Sequence, residues 1–221
     1  MKKVFRFFAI AAIAFGMTTM VACGSDDDSS SDTGDPILLE ENFDNGIPSG
    51  WTSIDVDGDG IEWDLCSNYF SGTFGYNNTD CLASPSYTNN LGALETDNYI
   101  VTPTIHIPGA GGYNLTFNVA NFQNEYPDKF SVLVGTLENG SFNTLETLFD
   151  GRVSVGVYEG DDMATQTYNL DAYKGQDICI AFRHHDSDAY FILVDNVKIS
   201  NEATKLADAH TVVKDGAKIV K

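Results

Sequence analysis

The sequence predicts an all-β domain, a jelly-roll β-sandwich, and three observations carry that expectation. Short runs of alternating apolar and polar residues recur along the chain, separated by glycine, asparagine, aspartate and proline. No stretch of the domain sustains a helical period. Two runs at opposite ends of the domain each set one carboxylate among apolar residues on a shared face, which makes the first and last strands natural neighbours, as a jelly roll permits.

Residues 1–22 read as a lipoprotein signal peptide. Lys2, Lys3 and Arg6 form a charged start, and the apolar segment from Phe7 to Phe15 is too short and too soon interrupted for a membrane-spanning helix. Met20-Val21-Ala22-Cys23-Gly24 resembles the lipobox of bacterial lipoproteins, in which the cysteine, here Cys23, is acylated and becomes the first residue. Residues 23–36 form an acidic flexible tether, Ser25 to Asp32 being low-complexity sequence with nothing to bury. An acidic run at this place resembles the export signals of some Gram-negative surface lipoproteins. The expected location is the outer membrane, lipid-anchored and exposed at the cell surface, with the lipid as the only membrane contact.

The sandwich is expected over 37–200. Ile37 to Phe43 is the first strand. Tyr99 to Thr102 runs to Pro103, and Thr104 to Ile107 to Pro108. Asn114 to Ala120 alternates cleanly, with Leu115, Phe117 and Val119 facing in. Phe130 to Val134, Ile178 to Arg183 and Tyr190 to Ile199 complete the series. The tail, 201–221, gathers Lys205, Lys214, Lys218 and Lys221. Its two short apolar runs flank Asp215-Gly216, a turn signal for a hairpin.

Composition fixes the broad class. The 221 residues are one domain of ordinary size with appendages, and a hydrophobic fraction of 43% excludes general disorder. Lys plus Arg number 12 against 32 Asp plus Glu, a formal charge of −20. Such a surface repels phosphate backbones, which excludes a nucleic-acid role, and attracts divalent cations.

The carboxylates point to calcium. Taken as a strand, 37–43 places Glu41 on the face of Ile37, Leu39 and Phe43. Likewise 190–199 places Asp195 on the face of Phe191, Leu193, Val197 and Ile199. A carboxylate turned to a core costs several kcal/mol unless paired or coordinated. Asp55-Val56-Asp57-Gly58-Asp59-Gly60 alternates carboxylates on a glycine-bent loop, as oxygen ligands for Ca²⁺ are presented. It is not an EF-hand: the twelfth position is Cys66 and no amphipathic helices flank it. The expectation is one structural Ca²⁺ held by Glu41, Asp55, Asp57, Asp59 and Asp195, with Glu62 and Asp64 in reserve, tying the first and last strands together.

Other groups read more plainly. A disulfide between Cys66 and Cys81 would brace the long Gly-, Asn- and Tyr-rich loop between them in an oxidising compartment. Cys179 alternates with Ile178, Ile180 and Phe182 and reads as a small buried packing residue. His184 and His185 point to opposite faces and cannot easily chelate one ion, so they read as a polar strand end. Tyr69, Phe70, Phe74, Tyr76 and Tyr87 form either a stacking platform for sugars or the packing of the long loop on itself. No nucleophile elbow, phosphate loop or metalloprotease helix occurs, and no catalytic residues are expected.

Three segments, in order, resemble a known family. They are Glu41-Asn42-Phe43-Asp44-Asn45-Gly46-Ile47-Pro48 with Gly50-Trp51 and Ile54 to Gly60; Thr96 to Pro103; and Ile180 to His185 with Leu193-Val194-Asp195-Asn196-Val197. Together they resemble the cleaved adhesin domain, the haemagglutinin/adhesin module attached to gingipain proteases. The resemblance implies a β-jelly-roll with structural calcium and adhesion to extracellular protein, cell-surface or glycan ligands. No protease domain accompanies the module here, so nothing about proteolysis is implied. The alternatives are a carbohydrate-binding lipoprotein for nutrient capture, a cryptic glycoside hydrolase, and a surface protein that contacts only its neighbours.

Overall fold

The computed structural model describes residues 36–201 and the backbone of 219–220. The signal segment, Cys23 and the tether up to residue 35 lie outside the described residues, as do most of the tail and its Asp215-Gly216 turn. In chain order the strands are β1 (Ile37–Glu41), β2 (Thr52–Asp55), β3 (Asp64–Leu65), β4 (Leu82–Pro85), β5 (Tyr87–Thr88), β6 (Gly92–Ala93), β7 (Asn98–Val101) and β8 (Ile105–His106). They continue with β9 (Asn114–Asn121), β10 (Lys129–Glu138), β11 (Ser141–Val153), β12 (Ala164–Asn169), β13 (Asp177–His184), β14 (Phe191–Ser200) and β15 (Ile219–Val220).

Two antiparallel sheets face each other. One runs β12-β9-β14-β4-β3 with β1 alongside β14; the other runs β15-β11-β10-β13-β7-β2 with β8 alongside β13. As expected, the domain's first and last long strands are paired, with Leu39 opposite Ile199 and Glu41 opposite Val197. The core between the sheets is built from alternate residues. Leu115, Phe117 and Val119 of β9 and Ile192 and Val194 of β14 meet Val132 and Val134 of β10 and Ile178, Ile180 and Phe182 of β13. Cys179 and Ala181, one position out of step, lie in a separate cluster with Val101 and Leu133 on the far side of the second sheet.

Sequence pattern alone does not reveal β11 and β12. The thirteen residues of β11 are mostly exposed, and its register against β10 slips twice, between Val132 and Leu133 and again between Val134 and Gly135. Each slip shifts the side-chain alternation, so no period of two survives in the sequence.

A bulge in β14 corrects the expected orientation of Asp195. Ile192 and Val194 face the core, and so do Val197 and Ile199, which are out of step with them. The change occurs at Asn196, whose φ of 48° is left-handed, and the register against β9 slips between Asp195 and Lys198. Phe191 and Leu193 therefore belong to the outer face, in a second cluster with Ala83, Ala120, Phe122, Cys66 and Cys81. Asp195 shares that face. It is fully buried, as its apolar neighbours suggest, but beneath the 66–81 segment rather than in the sandwich core.

Candidate functional site

The Asp55–Gly60 loop leaves the end of β2 in the second sheet. Gly58 and Gly60 adopt φ of 77° and 79°, and these two bends turn the three carboxylates toward one another. Asp55 Oδ1 accepts from Gly58 N–H at 2.7 Å and its Oδ2 from Gly60 N–H at 2.9 Å. Asp57 accepts from the N–H groups of Asp59 and Asp97, and Asp59 from that of Ile61. One ligand oxygen from each of Asp55, Asp57 and Asp59 lies within 4.8 Å of the others, the sole such acidic trio among the described residues. Slight burial together with the neighbouring Asp57 and Asp55 raises the Asp59 carboxyl above its ordinary range, against the pull of the Ile61 N–H.

Asp195 occupies a different environment. Its Oδ2 accepts from Tyr76 N–H at 2.8 Å and its Oδ1 from Asn196 N–H at 2.7 Å. Burial pushes its pKa from 3.8 up to about 6; the two N–H groups work against the rise, and Asp44 and Asp80 add to it. Other oxygens crowd the same spot. A Cβ placed on Gly75 would lie 2.7 Å from Asp195 Oδ2, 2.7 Å from the Asp80 carbonyl oxygen and 2.9 Å from that of Thr79. Only glycine fits there, and it lets two carbonyl oxygens converge beside a buried carboxylate.

The segment covering Asp195 is held down at several points. Asp80 accepts from Ser67 N–H and Cys81 N–H at 3.0 Å each and from Ser67 Oγ at 2.5 Å. Cys66 N–H donates to the Cys81 carbonyl at 2.8 Å, and both cysteines are buried free thiols in this structure. The adjoining Cys66 thiol, with burial, pushes the Cys81 thiol well up. Phe70 stacks on Phe122 at 4.2 Å with planes 5° apart, and Phe74 and Tyr69 meet Phe122 and Phe191 edge-on. For Tyr69, Phe70 and Phe74, the packing reading of the aromatic loop is therefore the one observed.

The five carboxylates expected to share one ion fall into two places. Asp55, Asp57 and Asp59 are together at the end of a strand of the second sheet. Asp195 lies on the outer face of the first sheet with Asp44 and Asp80 as its acidic neighbours, and neither it nor Glu41 belongs to the trio. Glu41 ends β1 half-exposed, its Oε1 accepting from the N–H groups of Asn42 and Phe43. Phe43 then turns left-handed, φ 57°, and buries its ring edge-on to Trp51. Asp44, Asp80 and the carbonyls of Thr79 and Asp80 were not foreseen; the placing of backbone carbonyls leaves no mark in a sequence, whereas Asp44 lies within the Glu41–Pro48 segment.

The two histidines also separate. His185 Nε2 lies 2.7 Å from Ser131 Oγ and 3.0 Å from Asp150. His184 is fully buried, with Nδ1 2.9 Å from Ser84 Oγ and Nε2 3.0 Å from Asp128 Oδ1. Serine, histidine and aspartate in line resemble an acyl-transfer triad. All three are closed to solvent, so no substrate reaches Ser84, and the arrangement serves as an internal polar tie.

Comparison with known proteins fits this architecture. Residues 36–199 match the sequence model of the Cleaved Adhesin Domain. Hemagglutinin A of Porphyromonas gingivalis is 32% identical over 199 residues, covering 82% of this chain and 9% of that protein. Gingipain R1 of the same organism is 32% identical over 173 residues, covering 73% of this chain and 10% of that protein. The chain thus spans about a tenth of the length of the curated relatives it matches. Among solved structures, the K1 cleaved adhesin domain of Lys-gingipain from P. gingivalis matches with a TM-score of 0.62 at 28% identity, over 73% of this chain and 96% of that one. The K3 domain matches with the same TM-score and identity, over 74% of this chain and 98% of that one.

Proposed function

The chain belongs to the cleaved adhesin domain family, and from that premise we propose that it is a non-catalytic, calcium-stiffened adhesin displayed at the cell surface on a lipid carried by Cys23, where it binds an extracellular protein or glycan. The observation that supports the calcium part most directly is Asp195. It is a buried carboxylate raised to about 6, its hydrogen bonds come from backbone N–H groups, and its charged neighbours are acidic. Carbonyl oxygens of Thr79 and Asp80 adjoin it. An all-oxygen set of this kind suits a hard cation such as Ca²⁺. Asp195 and those carbonyls would hold the ion, with the neighbouring carboxylate of Asp44 to complete the set. The ion would supply the positive charge that lets Asp195 remain ionised and would join the 66–81 segment to β14. The Asp55–Asp59 trio is a weaker, solvent-side position for a second ion.

A binding domain gains from stiffness, because a rigid ligand surface loses less conformational entropy on binding. Thermal melting of the chain in 1 mM Ca²⁺ and in EDTA tests the reading. At a thousandfold excess over Kd, an ion that binds only the folded state stabilises it by about 4 kcal/mol, or roughly 8–16 °C for a domain of this size. Superimposable melting curves in the two buffers would remove calcium from the account.

A further inference from the structure

The buried Ser84–His184–Asp128 tie lies directly under a surface cleft, and the two are linked through the backbone. Asp128 Oδ1 also accepts from Ser86 Oγ at 2.5 Å, and its Oδ2 accepts from Tyr190 N–H at 3.1 Å. Ser86 Oγ accepts from Ala189 N–H, the Ser86 carbonyl from Asp188 N–H, and the Tyr190 carbonyl from Ser86 N–H. Residues 188–190 are thus pinned to the end of β4 by a fully buried network. The cleft above has a volume of about 440 Å³, and its lining includes Tyr87, Tyr126, Tyr190, Asn89, Gln123 and Asp188. These come from three separate segments: the β5–β6 hairpin, the turn at 123–126, and the pinned stretch after β13.

We propose that this cleft is a binding site for neutral hexopyranosides at the ends of extracellular glycans. Volume and composition both match a small-ligand site, with aromatic faces and a few convergent polar groups. The tyrosines supply the apolar faces. Tyr190 is braced by Phe122 at 5.4 Å and Phe191 at 5.0 Å, and Tyr126 is 48% exposed. The rings of Tyr87 and Tyr190 have centroids 6.2 Å apart and planes at 42°, forming one bent face. That spacing leaves no room to enclose a quaternary ammonium between them, as an aromatic cage does, but it presents a platform for the C–H face of a pyranose. Asn89 and Gln123 each donate and accept, and Asp188 accepts, which suits hydroxyl groups on adjacent carbons. Asp188 holds a left-handed φ of 56°, a conformation that Asp tolerates better than most residues. Among the described residues no Lys or Arg lines the cleft, and the formal charge of the chain is −20, so sialylated and uronate-bearing glycans are repelled.

This inference rests on the adhesin reading only in taking the chain to bind something extracellular; it names the ligand class and the place. The test applies the whole chain in detergent to an array of oligosaccharides ending in neutral hexoses or N-acetylhexosamines beside sialylated and uronate-containing ones. Binding to the neutral set is expected, with at least tenfold weaker binding by Tyr126→Ala and severalfold weaker binding by Asp188→Asn. Both positions are exposed, so both variants should melt within about 2 °C of the parent. Asn tolerates the left-handed backbone at 188 as Asp does. Retention of acidic glycans only, unchanged binding by both variants, or no glycan binding alongside capture of immobilised matrix protein or a proline-rich peptide would overturn the site. The last outcome would leave the adhesin reading standing. An absent calcium response would remove the calcium part of that reading without touching the cleft.

Discussion

The Asp55–Gly60 loop and the Asp195 bulge are both acidic, yet they handle negative charge in opposite ways. The loop keeps three carboxylates at the surface and distributes them over five backbone N–H groups, so water and local dipoles carry the charge. Asp195 has two such donors, no solvent, and acidic neighbours. Moving a carboxyl from 3.8 to about 6 corresponds to roughly 3 kcal/mol against its ionised form. The loop is the louder motif in the sequence and the bulge the more demanding site in the fold. A repeated Asp-Gly pattern signals a turn that can satisfy itself, whereas one carboxylate sealed under a segment needs a partner.

Paired substitutions give the largest expected separation of the two. Asp195→Ala should abolish the calcium-dependent rise in Tm, a loss of about 4 kcal/mol at saturating ion. Asp57→Ala should preserve that rise and lower stability by about 1 kcal/mol at most, the usual scale for an exposed group. Calorimetric titration with Ca²⁺ on each variant checks the assignment. If Asp57→Ala loses the tight binding event and Asp195→Ala keeps it, the ranking of the two sites is reversed.

The lid over Asp195 gives a second, somewhat smaller contrast. Cys66 and Cys81 bracket that lid and adjoin one another. In an oxidising compartment they are expected to bridge, and closing a loop of about 15 residues contributes about 3 kcal/mol. Oxidised protein should therefore melt several degrees above reduced protein, and Cys66→Ser should remove the difference. Reduction should also weaken calcium binding at Asp195 while leaving the exposed trio unaffected. Equal melting of oxidised and reduced chains, with two free thiols by mass spectrometry in both, would show that packing alone holds the lid.

How much of this was legible in the sequence depends on how far the chain keeps a simple period. β9 and β13 alternate without interruption, and their inward residues, from Leu115 and Phe117 to Ile180 and Phe182, are where a period of two places them. The pairing of β1 with β14 followed from the carboxylates at both ends, and Asp195 does share a face with Phe191 and Leu193, but that face is the outer one and Val197 and Ile199 are not on it. One residue, Asn196, shifts the alternation at a left-handed turn that no composition rule marks, since asparagine is as common in ordinary loops. The tyrosine cleft was legible only in part: Tyr87 stood out among the loop aromatics, but Tyr126 and Tyr190 are brought to it by strand pairing. His184 read as a polar strand end because its partners, Ser84 and Asp128, are 100 and 56 residues away.

The smallest expected effect concerns pH and isolates Asp195 from the rest of the acidic surface. Its folded-state pKa, about 6, lies above the unfolded value near 3.8. The folded protein therefore holds more protons than the unfolded chain between those limits, so without calcium this group makes stability fall as pH rises through 4 to 6. Between pH 5 and pH 7.5 the loss from this group is about 1 kcal/mol. Asp195→Asn removes the titration, so in EDTA the Tm difference between variant and parent should shift in the variant's favour by a few degrees from pH 5 to pH 7.5. The loop carboxylates are common to both proteins and cancel in that difference. With calcium present the sign of the parent's dependence reverses, because protonating Asp195 releases the ion, and affinity should fall as pH drops below 6. A Tm difference independent of pH in EDTA would mean that Asp195 titrates as a solvated carboxylate, and the contrast between bulge and loop would lose its energetic basis.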